Sequence, residues 1–401
     1  MNAIAADPHS AAPDGRELLG RARALGPALA AAAEEIERRR ELPEPIVAAL
    51  AEAGLFHLLL PRSLGGAELP PDEYVPVVEE IAKHDASAAW CVGQATGCTI
   101  SAAYLDPEIA HEIFSPPRGI VAWGPPSGAK ALIVKGGFRL TGSWSFASGS
   151  HHASWLGAHV AIFEEDGAPR LRADGSPVIR TLLFRKEQAR FTDIWHVIGL
   201  RGTGSDTYAV EDLFVPEAFT ILRDGETPPR EPGVLYRFNS SNVYSAAFAG
   251  VALGIARSAL DAFIELARDK IPRGAKRTLR DNNVVQSQVA QCEARLSAAR
   301  VYLLNALAAI WSAVEGRGRL SLEDNAAIRL ASTWAIHQAR DAVATIYHAA
   351  GATAIFEDNP FERRFRDVHT VAQQYQGRQA HFESVGQVLL GLPPESTMFT
   401  F

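Results

Sequence analysis

The sequence predicts an α+β chain, mostly α, with helical segments at both ends and a β domain between them. Three observations carry that expectation. Apolar residues recur at helical spacing through the first third of the chain. The pattern changes to short β-branched and aromatic runs separated by glycine turns near Gly119. From Asn242 onwards a strong helical period returns. These changes divide the chain into an N-terminal helical domain (1–118), a central antiparallel β domain (119–223) and a C-terminal helical bundle (224–401).

In the first part, Leu18, Leu25, Leu29 and Ile36 form one apolar stripe between Glu17 and Glu41, ended by Pro43 and Pro45. A second helix runs from Ile46 to about Ala53 and stops at Gly54. Leu60 to Gly66 reads as a loop. Helix resumes at about Pro71 and leads into small residues around Ala86 to Ala89.

Strands are expected at Gly119 to Trp123, Leu132 to Lys135, Trp155 to Phe163, Ile179 to Phe184 and Tyr208 to Val215. Gly136-Gly137 is a two-residue hairpin signal. The spacing predicts an antiparallel sandwich or barrel of about 100 residues. In the last part, Val285, Val289, Cys292, Leu296, Ala299, Leu303, Ala306 and Ile310 form a bundle seam, with further stripes along 248–260 and 328–346. Such helices make a four-helix bundle.

The 401 residues carry a net charge of -7 spread along the chain, without an acidic or basic tail. Nucleic acid is not the expected partner, because phosphate binding needs a concentrated basic face. Arg38, Arg39 and Arg40 read as a solvated helix face. Cys91, Cys98 and Cys292 have neither CxxC nor metal-ligand spacing and fit a reducing compartment. Met1 to Arg16 lacks the pattern of a signal peptide. No apolar run approaches the roughly 20 residues that a membrane span requires. A cytoplasmic protein without a membrane partner is expected.

Two segments stand out chemically. Thr141 to Trp155 packs two tryptophans, a phenylalanine, several serines and the adjacent His151 and His152 into one strand-loop stretch. Aromatic planes beside small hydroxyls suit a flat heterocycle, and an aromatic strand with a Ser-Gly turn is the plain alternative. Adjacent histidines on a strand point to opposite faces, and no carboxylate or cysteine sits at ligand spacing, so no metal site is expected. The second segment, Arg363 to Arg378, sets three arginines before an expected helix, where they pair with an anion or with acidic neighbours. His369 is either a general base or a histidine that orders the helix start. The glycine-rich run Arg201 to Asp206 precedes strands rather than a helix, which favours a tight turn over a phosphate cradle.

Leu60-Pro61 with Gly65-Gly66, Gly199 to Asp206 running into Val215-Pro216-Glu217, and Arg366-Asp367 resemble landmarks of the acyl-CoA dehydrogenase superfamily. Asp85 to Trp90, Gly136 to Gly142, and Trp144 through Gly149 with His152 and Trp155 are most similar to its two-component flavin-dependent monooxygenases. The resemblance implies a reduced flavin, FAD or FMN, with O2 as co-substrate, a small-molecule substrate, a separate flavin reductase and a homotetramer. It implies Trp90, Trp123, Phe146, Ala147, Ser148 and Arg366 as flavin-binding residues, with Ser148 at N5 steadying a C4a-hydroperoxide. Acyl-CoA dehydrogenases often hold their proton-abstracting glutamate in a Tyr-Glu-Gly context, where this chain has Tyr375-Gln376-Gly377. Glutamine has no basic state with which to remove a proton. A histidine usual in the monooxygenases aligns with Gln374, leaving Ser148, His369, Gln374 and Gln376 as the catalytic candidates. The expected function is therefore monooxygenation of an aromatic, polycyclic or CoA-thioester substrate. The alternatives are an acyl-CoA dehydrogenase with a relocated base, Glu383 among the candidates, and a non-catalytic binding protein of the same fold.

Overall fold

The computed structural model describes residues 12–223 and 227–395. Five helices come first: α1 (Gly15–Arg39), α2 (Glu44–Glu52), α3 (Pro71–His84), α4 (Ala86–Thr99) and α5 (Pro107–Phe114). Asp14 starts α1 by accepting the Glu17 N–H at 2.8 Å, and Arg40 ends it in the left-handed conformation. Asp85 does the same at the start of α4, accepting from the Ala88 N–H at 2.7 Å.

Eight strands follow: β1 (Val121–Trp123), β2 (Pro126–Val134), β3 (Gly137–Trp144), β4 (Trp155–Phe163), β5 (Ile179–Arg185), β6 (Arg190–Thr192), β7 (Thr207–Pro216) and β8 (Thr220–Leu222). They form one sheet in the order β6-β7-β3-β2-β4-β5-β8, with β1 also on β4. The sheet is mixed, not the antiparallel sandwich that turn spacing predicts. After the β2–β3 hairpin the chain crosses back through residues 145–154 and enters β4 parallel to both β1 and β2. The hairpin turn is Lys135-Gly136, one residue earlier than expected, since Val134 pairs with Gly137 and Gly136 takes the positive φ of 82°. β6 and β8, three residues each, are too short to show a period in sequence.

The last part holds α6 (Ser240–Asp269), α7 (Asn283–Arg317), α8 (Leu322–Ala350), α9 (Pro360–Gln373) and α10 (Ala380–Leu389). α6 is the central core helix, packed on α3, α4 and α8. Its small residues permit close approach: a Cβ on Gly254 would lie 2.3 Å from the Glu79 carbonyl oxygen of α3. Glu79 is buried and paired with Arg300 of α7 at 2.8 Å, which ties the first part to the last.

Two features depart from expectation. Arg363, Arg364 and Arg366 lie inside α9 rather than before it, because Pro360 begins that helix earlier. α6 and α7 are also long and apolar enough to cross a bilayer by length and composition, although the sequence lacks an unbroken apolar run of that size. Alanine-rich stretches raise mean hydropathy without such a run, and 78% of the apolar window of α6 is buried as protein core.

Candidate active site

The residues after β3 form the centre of the site. Trp144 is fully buried and stacks on Tyr208 with centroids 5.4 Å apart. It donates its indole N–H to the His159 carbonyl at 3.2 Å, which pins the end of β3. The chain then reverses at Phe146, a non-glycine residue at φ 57° that is 61% exposed and meets Trp195 edge-on. Ala147 is buried and hydrogen-bonds through its N–H to the Asp206 carbonyl at 3.2 Å, while the Gly149 N–H donates to the Thr203 carbonyl at 2.9 Å. The loop is therefore clamped onto 203–206, part of the glycine-rich run that the sequence reads as a tight turn. That run is one here, with a turn over Arg201–Thr203 followed by β7.

Ser148 is the hub. Its hydroxyl oxygen lies 3.0 Å from the Trp90 indole nitrogen and 2.6 Å from the Ser205 hydroxyl, which lies 2.7 Å from the Thr203 hydroxyl. Thr203 donates to the Leu200 carbonyl at 2.8 Å. A carbonyl only accepts and an indole N–H only donates, so the proton order is fixed at both ends. Ser205 must donate to Thr203, Ser148 must donate to Ser205, and Ser148 accepts from Trp90. What Ser148 retains for a ligand is an acceptor lone pair.

An aromatic wall continues from this hub. Trp90 stacks on Phe248 at 3.7 Å and 5° between planes, and Phe248 stacks on Tyr244 at 5.8 Å. Tyr244 lies beside Cys98 Sγ at 3.4 Å and packs so closely on Gly97 that a Cβ there would meet its ring at 2.3 Å. Gly97 and Trp123 line a cavity of about 680 Å³ between α4, the β5–β8 edge of the sheet and the start of α6. Burial holds the Cys98 thiol up at about 12 and raises the Tyr244 hydroxyl well above its ordinary value, so both stay protonated donors.

The structure thus brings Trp90, Ala147 and Ser148 together, with the Phe146 ring exposed against Trp195 and Trp123 in the cavity wall. The remaining candidates are held elsewhere. Gln376 is buried, its amide oxygen accepting from Arg329 and its backbone N–H donating to Gln374 Oε1 at 2.8 Å. His369 turns onto its own helix, Nδ1 lying 2.8 Å from the Phe365 carbonyl and the ring 4.1 Å from Phe365. Arg366 is engaged by Glu362 at 2.6 Å, by Glu37 at 2.7 Å and by the Ile198 carbonyl. Among the described residues no hydrogen bond or ring contact joins His369 or Arg366 to the Ser148 hub. Glu383 is exposed on α10.

Sequence reasoning misses four members of this site. Thr203 and Ser205 enter it only as part of a turn, Phe248 only as a core-stripe residue, and Tyr244 not at all. The one available signal is the pair Tyr244 and Phe248, aromatics four apart on one helical face.

These residues fit a flavin. The exposed Phe146 ring offers an apolar plane, and the Ser148 acceptor complements the N5–H that only the reduced ring carries.

The family model for the acyl-CoA dehydrogenase N-terminal domain matches residues 16–109, and that for the acyl-CoA dehydrogenase C-terminal domain matches 246–379. The chain is 29% identical over 362 residues to the indole-3-acetate monooxygenase of Pseudomonas putida, covering 90% of each. It is 28% identical over 395 residues to the FADH(2)-dependent resorcinol hydroxylase oxygenase component of Rhizobium sp. (strain MTP-10005), covering 94% of this chain and 95% of that one. The solved structure of XiaF from Streptomyces sp. in complex with FADH2 and glycerol superposes with a TM-score of 0.87 at 27% identity, covering 95% of this chain and 97% of that one.

Proposed function

The chain belongs to the acyl-CoA dehydrogenase superfamily, and from that premise we propose that it is the oxygenase component of a two-component flavin-dependent monooxygenase acting on an aromatic small molecule. The observation that carries the reading is the Ser148 hub, whose proton order leaves an acceptor beside an exposed aromatic plane. The FADH2 named for the resorcinol hydroxylase and bound by XiaF supports reduced FAD as the cofactor. When bound, reduced flavin supplies two electrons to O2, so that one oxygen atom enters the substrate and the other leaves as water.

The chain's own residues do the rest. Ser148 would accept the flavin N–H, with Trp90 holding the Ser148 oxygen in place. The exposed Phe146 ring would offer a plane to a bound flavin, and the buried Ala147 and the Trp90–Phe248 stack exclude water beside Ser148. Trp123 presents a flat surface against which an aromatic ring is oriented. Gln376 commits its amide to Arg329, in keeping with a reaction that takes no α-proton. Gln374 acts as a positioning residue in this reading, accepting the Gln376 N–H in the turn after α9, while His369 orders its own helix.

As an oxygenase component the protein takes its reduced flavin from a separate reductase in the cytoplasm. We assign it a homotetramer built on α7, whose exposed Val284, Val301 and Tyr302 are apolar residues for a neighbouring subunit to cover. Light scattering reads that mass directly.

The decisive experiment supplies photoreduced FAD and 18O-labelled O2 with a panel of indoles, phenols and resorcinols. One labelled oxygen atom per product molecule is expected. Complete conversion of O2 to hydrogen peroxide across the panel, with no label in any organic product, would overturn the reading.

A further inference from the structure

Arg223 follows β8 and faces the cavity that Trp123 lines. Its guanidinium donates to the Ser240 hydroxyl at 3.1 Å, and among the described residues no carboxylate lies within ion-pairing distance of it. Burial lowers its pKa, so keeping this charge costs the folded protein stability. A second guanidinium converges on the same wall, since Arg172 donates to the Arg223 carbonyl at 2.6 Å. Arg237 and Arg319 complete four arginines around the cavity, and its described lining contains no aspartate or glutamate.

The other walls are apolar and flat. Tyr104, Trp123, Tyr236 and Phe238 lie around the same space, and about 680 Å³ suits an arene with a short side chain. Gly97 borders the cavity and contacts Tyr244, from which the aromatic wall leads through Phe248 to Trp90 and Ser148. These contacts form a packed chain of side chains between the cavity wall at Gly97 and the Ser148 hydroxyl.

We propose that this cavity is the substrate site and that it selects an aromatic carboxylate, with Arg223 and the Ser240 hydroxyl holding the carboxylate and the ring lying among Tyr104, Trp123 and Tyr236. A bidentate guanidinium pairs with a carboxylate in a way a neutral amide cannot reproduce. Binding the anion also compensates a charge that no described carboxylate meets. The ring's oxygenation rests on the proposed function, whereas the anion preference does not. A flavin phosphate carries the same charge chemistry and is the competing source of an anion.

The test uses the full-length protein with reduced FAD bound under anaerobic conditions. Isothermal titration compares matched acids and amides: benzoate with benzamide, phenylacetate with phenylacetamide, and indole-3-acetate with indole-3-acetamide. At least one acid is expected to bind about tenfold or more tightly than its amide. Arg223→Gln should abolish that preference and leave the reduced-FAD dissociation constant within about twofold, and Arg223→Lys should keep part of the preference. Circular dichroism and flavin affinity report whether each variant is folded. The proposal is overturned if no acid is preferred, if the preference survives Arg223→Gln in folded protein, or if that variant loses FAD affinity without losing the preference. Label entering neutral arenes with no acid preference would sink this proposal and spare the oxygenase reading. An Arg223-dependent acid preference without label incorporation would do the reverse.

Discussion

The Trp90 indole N–H donates to the Ser148 hydroxyl across 3.0 Å, linking α4 of the first helical part to the loop after β3. With the Ser205–Thr203 relay on its other side, Ser148 is held by two partners whose proton roles are already assigned. Ser148→Ala removes the acceptor and leaves Trp90 without a partner. We expect reduced flavin to bind nearly as before, while the fraction of O2 that ends in product falls about tenfold and hydrogen peroxide rises to match. Trp90→Phe should move the same ratio in the same direction by a smaller amount. Product and peroxide measured in one reaction check both.

Phe146 separates stability from cofactor binding. Its left-handed backbone costs about 1 kcal/mol that glycine does not incur, and the residue is mostly exposed. Phe146→Gly is therefore expected to leave Tm unchanged or slightly raised while the reduced-FAD dissociation constant rises about tenfold. A Tm drop of several degrees with unchanged flavin affinity would mean that the ring is a packing residue only.

Asp367 gives a pH dependence with a definite sign. Its carboxyl is buried and pushed up to about 7, chiefly by desolvation, although Oδ1 accepts the Leu200 N–H at 2.6 Å. Below the unfolded value of about 4 both forms are protonated and its contribution to stability is complete. Between about 4 and 7 the unfolded chain releases the proton first, and the contribution drains away as pH rises. Asp367→Asn keeps the acceptor and discards the charge. Thermal melts should show wild type and variant equal near pH 4, with the variant several degrees more stable at about pH 8.

Gln376 offers a direct challenge to dehydrogenation. Replacing its amide with a carboxylate sets an anion against Arg329, which is buried without a carboxylate partner among the described contacts and held down at about 10 by desolvation. Gln376→Glu should raise Tm, because the new charge meets one already buried. The paired glutamate remains ionised but engaged, so anaerobic addition of acyl-CoA substrates should leave the absorbance of oxidised bound flavin unchanged. Bleaching would reinstate the dehydrogenase reading.

Periodicity makes the long helices legible, together with β4 to the residue, because those segments carry enough turns or alternations to show a period. The parallel entry of β4 is hidden, since it depends on where 145–154 recrosses the sheet rather than on any local pattern. The Trp144 to Trp155 segment stands out by composition. Its partners Thr203 and Ser205 do not, because they reach it only through the β3–β7 register that pairs Trp144 with Tyr208. Arg366 invites an anion in the sequence, while its nearest acid outside α9, Glu37, lies 329 positions earlier. Arg223 belongs to no motif, and its place in the cavity wall, with no carboxylate among the described lining residues, depends on tertiary packing rather than on a local pattern.

The end of α1 reaches across to the same loop. The two ring nitrogens of His151 lie 2.8 Å from Glu41 and 2.7 Å from Asp206, while Arg40 holds Asp193 at 2.7 Å. Asp206 in turn accepts the Ile194 and Trp195 N–H groups. The loop after β3 is thus braced by Glu41, 110 positions upstream of His151. Modularity is limited by that geometry: a β domain grafted between relatives would lose one of the two carboxylates on His151 unless the donor's segment around Glu41 travelled with it.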